Sequence, residues 1–254
     1  MSQAQVTETI HPSHNCQHPT SSKTNQLLAA LPPADYERLM PHLKPHNMAA
    51  GHVLYQVREP IQRVYFLTGG MVSLVLTSEE GTDVEVGVID SEGVVGGGAA
   101  LTDSTSIHHT VMQIGGSSVY LPAAIFKAEF QRGGALQDLV LRHWQFLSVQ
   151  ASQCVLCNRL HSVEERLARW LLMVHDRVRR DEIDLTQEFL GDMLGSRRAG
   201  VTVAAGILRA GGMIDYKRGQ IFILDRKKLE DTACACYREI YDQGRQLLHW
   251  KRPD

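Results

Sequence analysis

Residues 185–228, LTQEFLGDMLGSRRAGVTVAAGILRAGGMIDYKRGQIFILDRKK, hold the most informative pattern in this chain. A short amphipathic segment (186–194) meets a Gly-Ser turn, and a second helical segment opens with two arginines and ends at Gly211-Gly212. Two short β-rich segments follow around a Lys-Arg-Gly turn (217–219). This order is typical of a winged helix-turn-helix, whose second helix presents its N-terminal residues to the DNA major groove. The sequence therefore predicts sequence-specific binding to double-stranded DNA.

The charge of the same segment favours a polyanionic partner. Residues 185–228 contain eight Lys or Arg and four acids, a net charge of +4, whereas the whole chain is at −2. Residues 24–134 contain eleven acids against six basic residues, a net charge of −5. Basic stretches are often only solvated surface, but this one coincides with the turn pattern. The coincidence strengthens the prediction of DNA binding.

Composition and length are those of a globular protein with room for two domains in 254 residues. No run of about 18 apolar residues is present, so the sequence predicts neither a transmembrane helix nor a membrane partner. Residues 1–24 lack the basic flank and apolar stretch of a secretory signal, and we expect a disordered tail there. Five cysteines without a spaced framework predict a reducing, cytoplasmic location.

The middle of the chain changes from helical to β-rich texture. Residues 25–43 have helical spacing interrupted by Pro32-Pro33, whereas residues 53–126 alternate short β-rich runs with Gly, Asp and Ser. Short strands with frequent turns predict an antiparallel barrel or jelly roll, here a domain over residues 25–133. The expected strands are 64–67, 71–76, 84–89, 111–114 and 118–121.

A long helix is predicted over residues 134–160, since apolar residues recur there at spacings of three and four. Such a stripe either packs on its own barrel or forms a dimer interface. A dimer interface would place the two DNA-binding helices one turn of the DNA double helix apart. We expect a homodimer along this helix. The stripe consists of Leu136, Val140, Trp144, Leu147, Ala151, Cys154 and Val155.

The C-terminal half is expected to form an α-helical and β-hairpin DNA-binding domain over residues 161–232, with a helical tail at 233–254. Its first helix opens with a capping box, Ser162-Val163-Glu164-Glu165. The fold class is therefore α+β, with a barrel, a connecting helix and a winged helix-turn-helix.

This order of parts resembles the Crp/Fnr family of bacterial transcription regulators. The likeness covers roughly residues 25–240 and is carried by GHVL (51–54), VYFLTGGMV (64–72), CNRLHSVEERLARWLLMVHDRV (157–178), LTQEFLGDMLGSRRAGVTVA (185–204) and CACY (234–237). The resemblance implies a cyclic-nucleotide-binding-like β-barrel, a dimerisation helix and binding to a pseudo-palindromic operator. It makes RNA polymerase a further candidate partner.

The DNA contacts are expected on both helices and on the wing. The resemblance places Arg198 at a position that commonly reads guanine, and a guanidinium can bond O6 and N7 together. The family often has Glu and Arg where this chain has Ala199 and Val203, so its operator should differ from that of the catabolite activator. Backbone contacts or further base contacts are expected from Thr186, Gln187, Ser196, Arg197, Thr202, Lys217 and Arg218.

The effector site of the barrel departs from the family pattern. In barrels of this family, the usual cyclic-nucleotide site needs a Gly-Glu pair that binds the ribose and an Arg beside Ser or Thr that binds the phosphate. Here Gly97 stands at the glutamate position between Gly96 and Gly98, no arginine lies near His108-His109, and no Lys or Arg occurs between positions 63 and 127. A buried phosphate without a counter-charge costs several kcal/mol. The sequence predicts a degenerate pocket, no bound cofactor and weak or absent cyclic AMP binding, with the effector unknown.

Histidine and cysteine leave other sensors open. The ligand-type residues His11, His14, Cys16 and His18 fall in the expected tail, and the pairs Cys154/Cys157 and Cys234/Cys236 could bind metal, form disulfides or simply pack as small apolar groups. His108-His109 could ligate a haem. A redox- or metal-responsive regulator is thus an alternative, although no metal site is assigned. Iron–sulfur members of the family use a cysteine-rich N-terminus, where this chain has Cys16 alone.

An enzyme is disfavoured. Adjacent His108 and His109 would point to opposite faces of a strand, unlike the His-x-His pair of jelly-roll dioxygenases. The chain also lacks G-x-S-x-G, a phosphate-binding glycine-lysine loop and H-E-x-x-H. A regulatory module that acts through protein contacts alone remains the other alternative. Neither the signal nor the choice between activation and repression follows from the sequence.

Overall fold

The computed structural model describes residues 21–101, 105–184, 190–191, 193–217 and 219–249. The predicted tail lies outside the described residues up to position 20, but its last residues are ordered: Ser22–Thr24 form a 3-10 helix. Helices α1 (Gln26–Ala29) and α2 (Pro33–Leu39) follow, and a 3-10 turn (Met40–His42) ends the segment. Pro33 is the first residue of α2, where its missing N–H has no partner to lose.

Within the part of the barrel that the structure describes, seven strands build the predicted jelly roll. They form two antiparallel sheets, β1-β7-β3 and β2-β6-β4-β5, and residues of both sheets enclose one apolar core. The five predicted strands are confirmed to within two residues at each end. The polar strand β1 and the helix α3 (Ala123–Gln131) were not predicted. The strands are β1 (Lys44–Met48), β2 (Val53–Tyr55), β3 (Arg63–Leu67), β4 (Met71–Thr77), β5 (Asp83–Ile89), β6 (His109–Ile114) and β7 (Gly116–Pro122).

The long helix α4 spans Ala135–Leu160. Its predicted stripe packs mainly on its own barrel: Leu136 and Val140 are buried in one barrel core, and Trp144 packs against the same core. These residues therefore do not form a free seam. Val155, the last residue of the predicted stripe, is instead 73% exposed, and three apolar side chains of α4 outside the stripe are also exposed, Leu141 (48%), Leu156 (45%) and Leu160 (65%).

The C-terminal domain begins with α5 (Val163–Val178), and the predicted capping box is confirmed between Ser162 and Glu165. A three-stranded sheet in the order β8-β10-β9 carries the wing. The predicted helical tail contains a helix at Cys236–Leu248, which packs against α4 and α5. The remaining elements are β8 (Glu182–Asp184), α6 (Arg198–Ala210), β9 (Ile214–Lys217), β10 (Gln220–Ile223), α7 (Arg226–Thr232) and α8 (Cys236–Leu248).

The barrel and the C-terminal domain share one continuous core. Apolar residues of β4, β5 and β6 and Phe146 of α4 belong to the same buried cluster as the helices of the C-terminal domain. Polar contacts cross this junction as well: Trp170 Nε1 donates to Glu85 Oε1 at 2.8 Å, and Arg177 Nη2 lies 3.4 Å from Glu92 Oε1. The two domains are thus held by both apolar packing and buried polar contacts.

Among the described helices, none has the length and apolarity needed to cross a membrane.

Candidate nucleic-acid interface

The turn before the recognition helix is tightly closed. Residues 190, 191 and 193 are helical, and the Ser196 N–H donates to the Gly191 carbonyl at 2.9 Å. Gly195 has φ +53°, a left-handed conformation that favours glycine. A Cβ on Gly191 would lie 3.1 Å from the Ser196 carbonyl oxygen. Both glycines therefore fix how α6 leaves the preceding helix. The predicted contacts Thr186 and Gln187 lie outside the described residues.

Helix α6 has one buried face and one exposed face, as a recognition helix requires. Val201, Ala204, Ala205 and Leu208 are buried in the core of the C-terminal domain. Arg197 is the N-cap residue in an extended conformation, and both it and Arg198 are exposed. Thr202 is exposed one turn later, where its hydroxyl donates to the Arg198 carbonyl at 3.0 Å. The structure thus brings the two arginines and the threonine to one outward face.

The exposed face continues with small and apolar residues that sequence reasoning did not assign to the interface. Val203 is 64% exposed and Ile207 is 45% exposed, and a Cβ on Gly206 would meet no atom within 4 Å. Their spacing from Ala199 and Thr202 on a single helix face could have revealed them. Such a face suits close approach to base edges and thymine methyl groups.

The wing presents Lys217 at the end of β9, next to Gly219 with φ +84°. Asp215 lies between two cations: its Oδ1 is 3.0 Å from Arg209 Nε and its Oδ2 is 2.8 Å from Lys217 Nζ. The hydrogen bond from Lys217 lowers the pKa of Asp215, with help from Arg209. Lys217 is therefore exposed but partly neutralised. Arg218, the other predicted wing contact, lies outside the described residues.

The glycine loop of the barrel is occupied by the chain's own aromatic side chains. Gly96 has φ +81°, and a Cβ there would lie 2.5 Å from the Tyr55 hydroxyl oxygen. Gly97 is buried, and a Cβ there would lie 3.1 Å from Trp144 Nε1. Gly98 follows within the 3-10 helix Gly97–Ala100. A glutamate side chain at position 97 would thus displace Trp144.

The two predicted barrel histidines lie at the start of β6, with His109 as its first residue and His108 just before it. His108 is half-buried, and burial lowers its pKa; His109 begins β6 and its Nδ1 lies 3.0 Å from Gln56 Oε1. Within the described residues, no hydrogen bond joins either histidine to the glycine loop. A cavity of about 690 Å³ is found elsewhere, between the barrel and the C-terminal domain, lined in part by Leu139, Arg177 and Tyr241.

Comparison with known families matches both halves of the chain. A Crp-like helix-turn-helix domain matches residues 165–232, and a cyclic nucleotide-binding domain matches residues 45–132. The chain belongs to the Crp/Fnr family of transcriptional regulators. The regulators of this family bind DNA and act as dimers. No functionally curated protein matches the chain.

Solved Crp/Fnr structures share its fold at low sequence identity. A protein from Eubacterium rectale assigned to this family is 18% identical, with a TM-score of 0.66 over 81% of this chain and 96% of its own. FixK2 from Bradyrhizobium japonicum is 18% identical, with a TM-score of 0.64 over 76% of this chain and 98% of its own. TTHA1359 from Thermus thermophilus is 21% identical, with a TM-score of 0.62 over 75% and 98%. These similarities extend over barrel and DNA-binding domain together.

Proposed function

We propose that this Crp/Fnr protein is a sequence-specific transcriptional regulator that binds a pseudo-palindromic operator as a homodimer. The observation that carries the proposal is the outward face of α6, which begins with exposed Arg197 and Arg198 while its opposite face is buried in the domain core. Arg198 reads a guanine, whereas Ser196, Arg197 and Lys217 contact phosphates. Thr186, Gln187, Thr202 and Arg218 complete the proposed contacts.

The operator is found by incubating the purified full chain with fragmented genomic DNA and sequencing the bound fragments. Arg198→Ala is then compared with the wild type on a selected operator and on random DNA. Loss of a bidentate contact to guanine costs about 1–3 kcal/mol, or roughly 5- to 150-fold in operator affinity. Random DNA should lose far less, because affinity for random DNA comes from phosphate contacts, to which Arg198 is not assigned.

Arg132→Ala is the matched control, because Arg132 is an exposed arginine near the end of α3, outside the C-terminal domain. It should leave both affinities unchanged. Equal losses on operator and random DNA with Arg198→Ala would remove Arg198 from base reading. No binding to any fragment at low salt would leave the protein as a regulatory module that acts through protein contacts.

The proposed dimer interface is the exposed apolar face of α4 that includes Leu141, Val155 and Leu156. Val155→Glu places a charge on this face and should convert the dimer to monomer in sedimentation experiments. Ile107→Glu is the control, since Ile107 on the barrel is 72% exposed, almost as much as Val155 at 73%. A dimer that survives Val155→Glu as well as Ile107→Glu places the interface elsewhere.

We infer further that cyclic AMP is not the effector. Trp144 and Tyr55 fill the space beside Gly97 and Gly96, and the barrel sequence between Arg63 and Lys127 offers no basic side chain to a phosphate. Calorimetry with cyclic AMP should give a dissociation constant of about 1 mM or higher. Micromolar binding would overturn this inference.

A further inference from the structure

Three cysteines and one histidine from distant parts of the sequence meet in the C-terminal half of the molecule. Cys157, His161, Cys234 and Cys236 each offer one ligand atom, and all four atoms lie within 4.8 Å of one another. Cys157 Sγ is 3.4 Å from Cys234 Sγ, and Cys236 Sγ is 3.6 Å from His161 Nδ1. We propose that these four side chains bind a single zinc ion.

The spacing of the ligand atoms fits one tetrahedral ion. Zinc–sulfur bonds of about 2.3 Å and zinc–nitrogen bonds of about 2.0 Å place neighbouring ligand atoms roughly 3.5–3.8 Å apart. The two measured separations, 3.4 and 3.6 Å, are already close to these edges. An iron–sulfur cluster distributes its ligands over different irons and needs wider spacing. Three thiolates and an imidazole also form a common donor set of structural zinc sites.

The fold explains why these residues converge. Cys157 lies in the last turn of α4, and His161 is the C-cap residue four positions later, so both are on the same side of the helix end. Cys234 lies in the connection after α7, and Cys236 is the first residue of α8. The ion would therefore join the end of α4 to the start of α8, just before α5 begins at Val163.

The three cysteines of this group are buried together and are not scattered surface thiols. Cys157, Cys234 and Cys236 are at most 5% exposed and form a separate core cluster of their own. Cys154, one turn earlier on α4, has no place in the four-ligand group. Cys154 therefore serves as a control, because it is a cysteine of the same helix that is not a proposed ligand.

Two buried arginines supply the charge that such a site requires. Arg166 and Arg169 of α5 are 6% and 5% exposed, and their charges act on the thiols of Cys157 and Cys234. The Nε atoms of both arginines have no hydrogen-bond partner among the described residues. One zinc ion with three thiolates and a neutral imidazole has a net charge of −1. Buried guanidinium groups beside it would compensate that charge and orient the ligands.

The direct test is the zinc content of the full-length protein, purified without chelator from cells supplied with zinc and iron and measured by mass spectrometry of the metals. Wild type and Cys154→Ser should each contain about one zinc ion per chain. Cys157→Ser and Cys234→Ser should lose most of it. Zinc-free wild type, equal zinc content in all four proteins, or an iron–sulfur chromophore in the visible spectrum would each overturn the proposal.

A second measurement does not depend on whether the variants fold. Native wild-type protein is treated with N-ethylmaleimide before and after removal of metal by a chelator, and the modified cysteines are located by peptide mass spectrometry. Cys157, Cys234 and Cys236 should be protected together and become reactive together on chelation. Reactivity of these thiols without chelation, or a Cys157–Cys234 disulfide in the non-reduced protein, would contradict a zinc site.

Replacing zinc with Co²⁺ in the wild-type protein should give the intense visible bands of tetrahedral thiolate coordination. A colourless or weakly pink product would indicate that no such coordination exists. None of these measurements involves DNA, so they test the zinc site independently of the proposed operator binding.

Discussion

Glu85 is expected to keep its proton until the pH approaches about 7, and its replacement by glutamine tests this expectation at the junction of the two domains. The side chain is almost fully buried; its Oε1 accepts from Trp170 Nε1 at 2.8 Å, and its Oε2 lies 2.6 Å from Ser73 Oγ. Burial raises the pKa of Glu85 from 4.5 to about 7. The environment thus favours the neutral acid.

The hydrogen bonds around Ser73 also favour the protonated form of Glu85. Ser73 Oγ lies 2.7 Å from Gln113 Oε1 as well as 2.6 Å from Glu85 Oε2. A hydroxyl has a single hydrogen and cannot donate to two oxygens at once. A proton on Glu85 Oε2 resolves this, because Glu85 then donates to Ser73 and Ser73 donates to Gln113. In that state both short contacts of Ser73 Oγ are satisfied with the Gln113 amide oriented as it stands.

The sign of the effect follows from the raised pKa. A carboxyl group whose pKa is higher in the folded state contributes stability that is fully present below pH 4.5 and is lost as the pH rises through about 7. The difference between 4.5 and about 7 corresponds to roughly 3 kcal/mol of unfolding free energy. Glutamine at position 85 cannot ionise, and its amide donates to Ser73 at every pH.

The assay is urea unfolding of wild type and Glu85→Gln at a series of pH values between about 4.5 and 8. The two proteins should differ little at the acid end, and the variant should be more stable by up to about 3 kcal/mol at the alkaline end. Glu79→Gln, an exposed glutamate between β4 and β5, is the control. Parallel curves for wild type and Glu85→Gln would refute the reasoning, since Glu85 would then be ionised throughout.

Two further predictions concern buried and strained positions. Burial lowers the pKa of His143 from 6.5 to about 4, so stability is present above pH 6.5 and falls by up to about 3 kcal/mol as the pH drops to 4. His143→Leu should remove this acid-side loss in the same urea titration, and an unchanged slope would mean that the imidazole already ionises when folded. Gly195→Ala should destabilise by about 1–2 kcal/mol, because φ is +53° there and the new Cβ makes only an ordinary contact with Val84. Gly206→Ala, inside α6 with open space around it, should instead stabilise by up to about 1 kcal/mol; equal effects at both glycines would show that backbone conformation does not control them.

Much of the fold was predictable because its signals are local. Strand β4 is a short, mostly apolar run between turn residues, and α5 opens with a capping box, so both can be recognised within a dozen residues. Strand β1 was missed because its sequence, KPHNM, is polar, and only its pairing with β7 makes it a strand. The exposed face of α6 was predicted from its arginines, whereas Val203 and Ile207 were not assigned to it, although helical spacing places them on the same face as Ala199 and Thr202.

The long helix α4 shows where periodicity stops being sufficient. Its stripe of Leu136, Val140 and Trp144 is equally suited to a barrel and to a second subunit, since both bury apolar surface in the same way. Packing in the folded chain assigns this stripe to the barrel and leaves Val155 and its neighbours exposed. The cysteines show the same limit. The sequence presents two separate pairs, whereas the fold brings Cys157 to Cys234 and Cys236 and leaves Cys154 out of the group.

The sequence by itself determined the kinds of element, their order and the basic helix that we propose meets DNA, because turn chemistry, periodicity and charge act over a few residues. Tertiary structure alone decided which surfaces meet. It placed Trp144 behind the glycine loop, set Glu85 against Trp170 across the domain junction, and brought Cys157 and His161 to Cys234 and Cys236. Contacts between residues about 75 positions apart depend on how whole elements pack, and no local pattern records that packing.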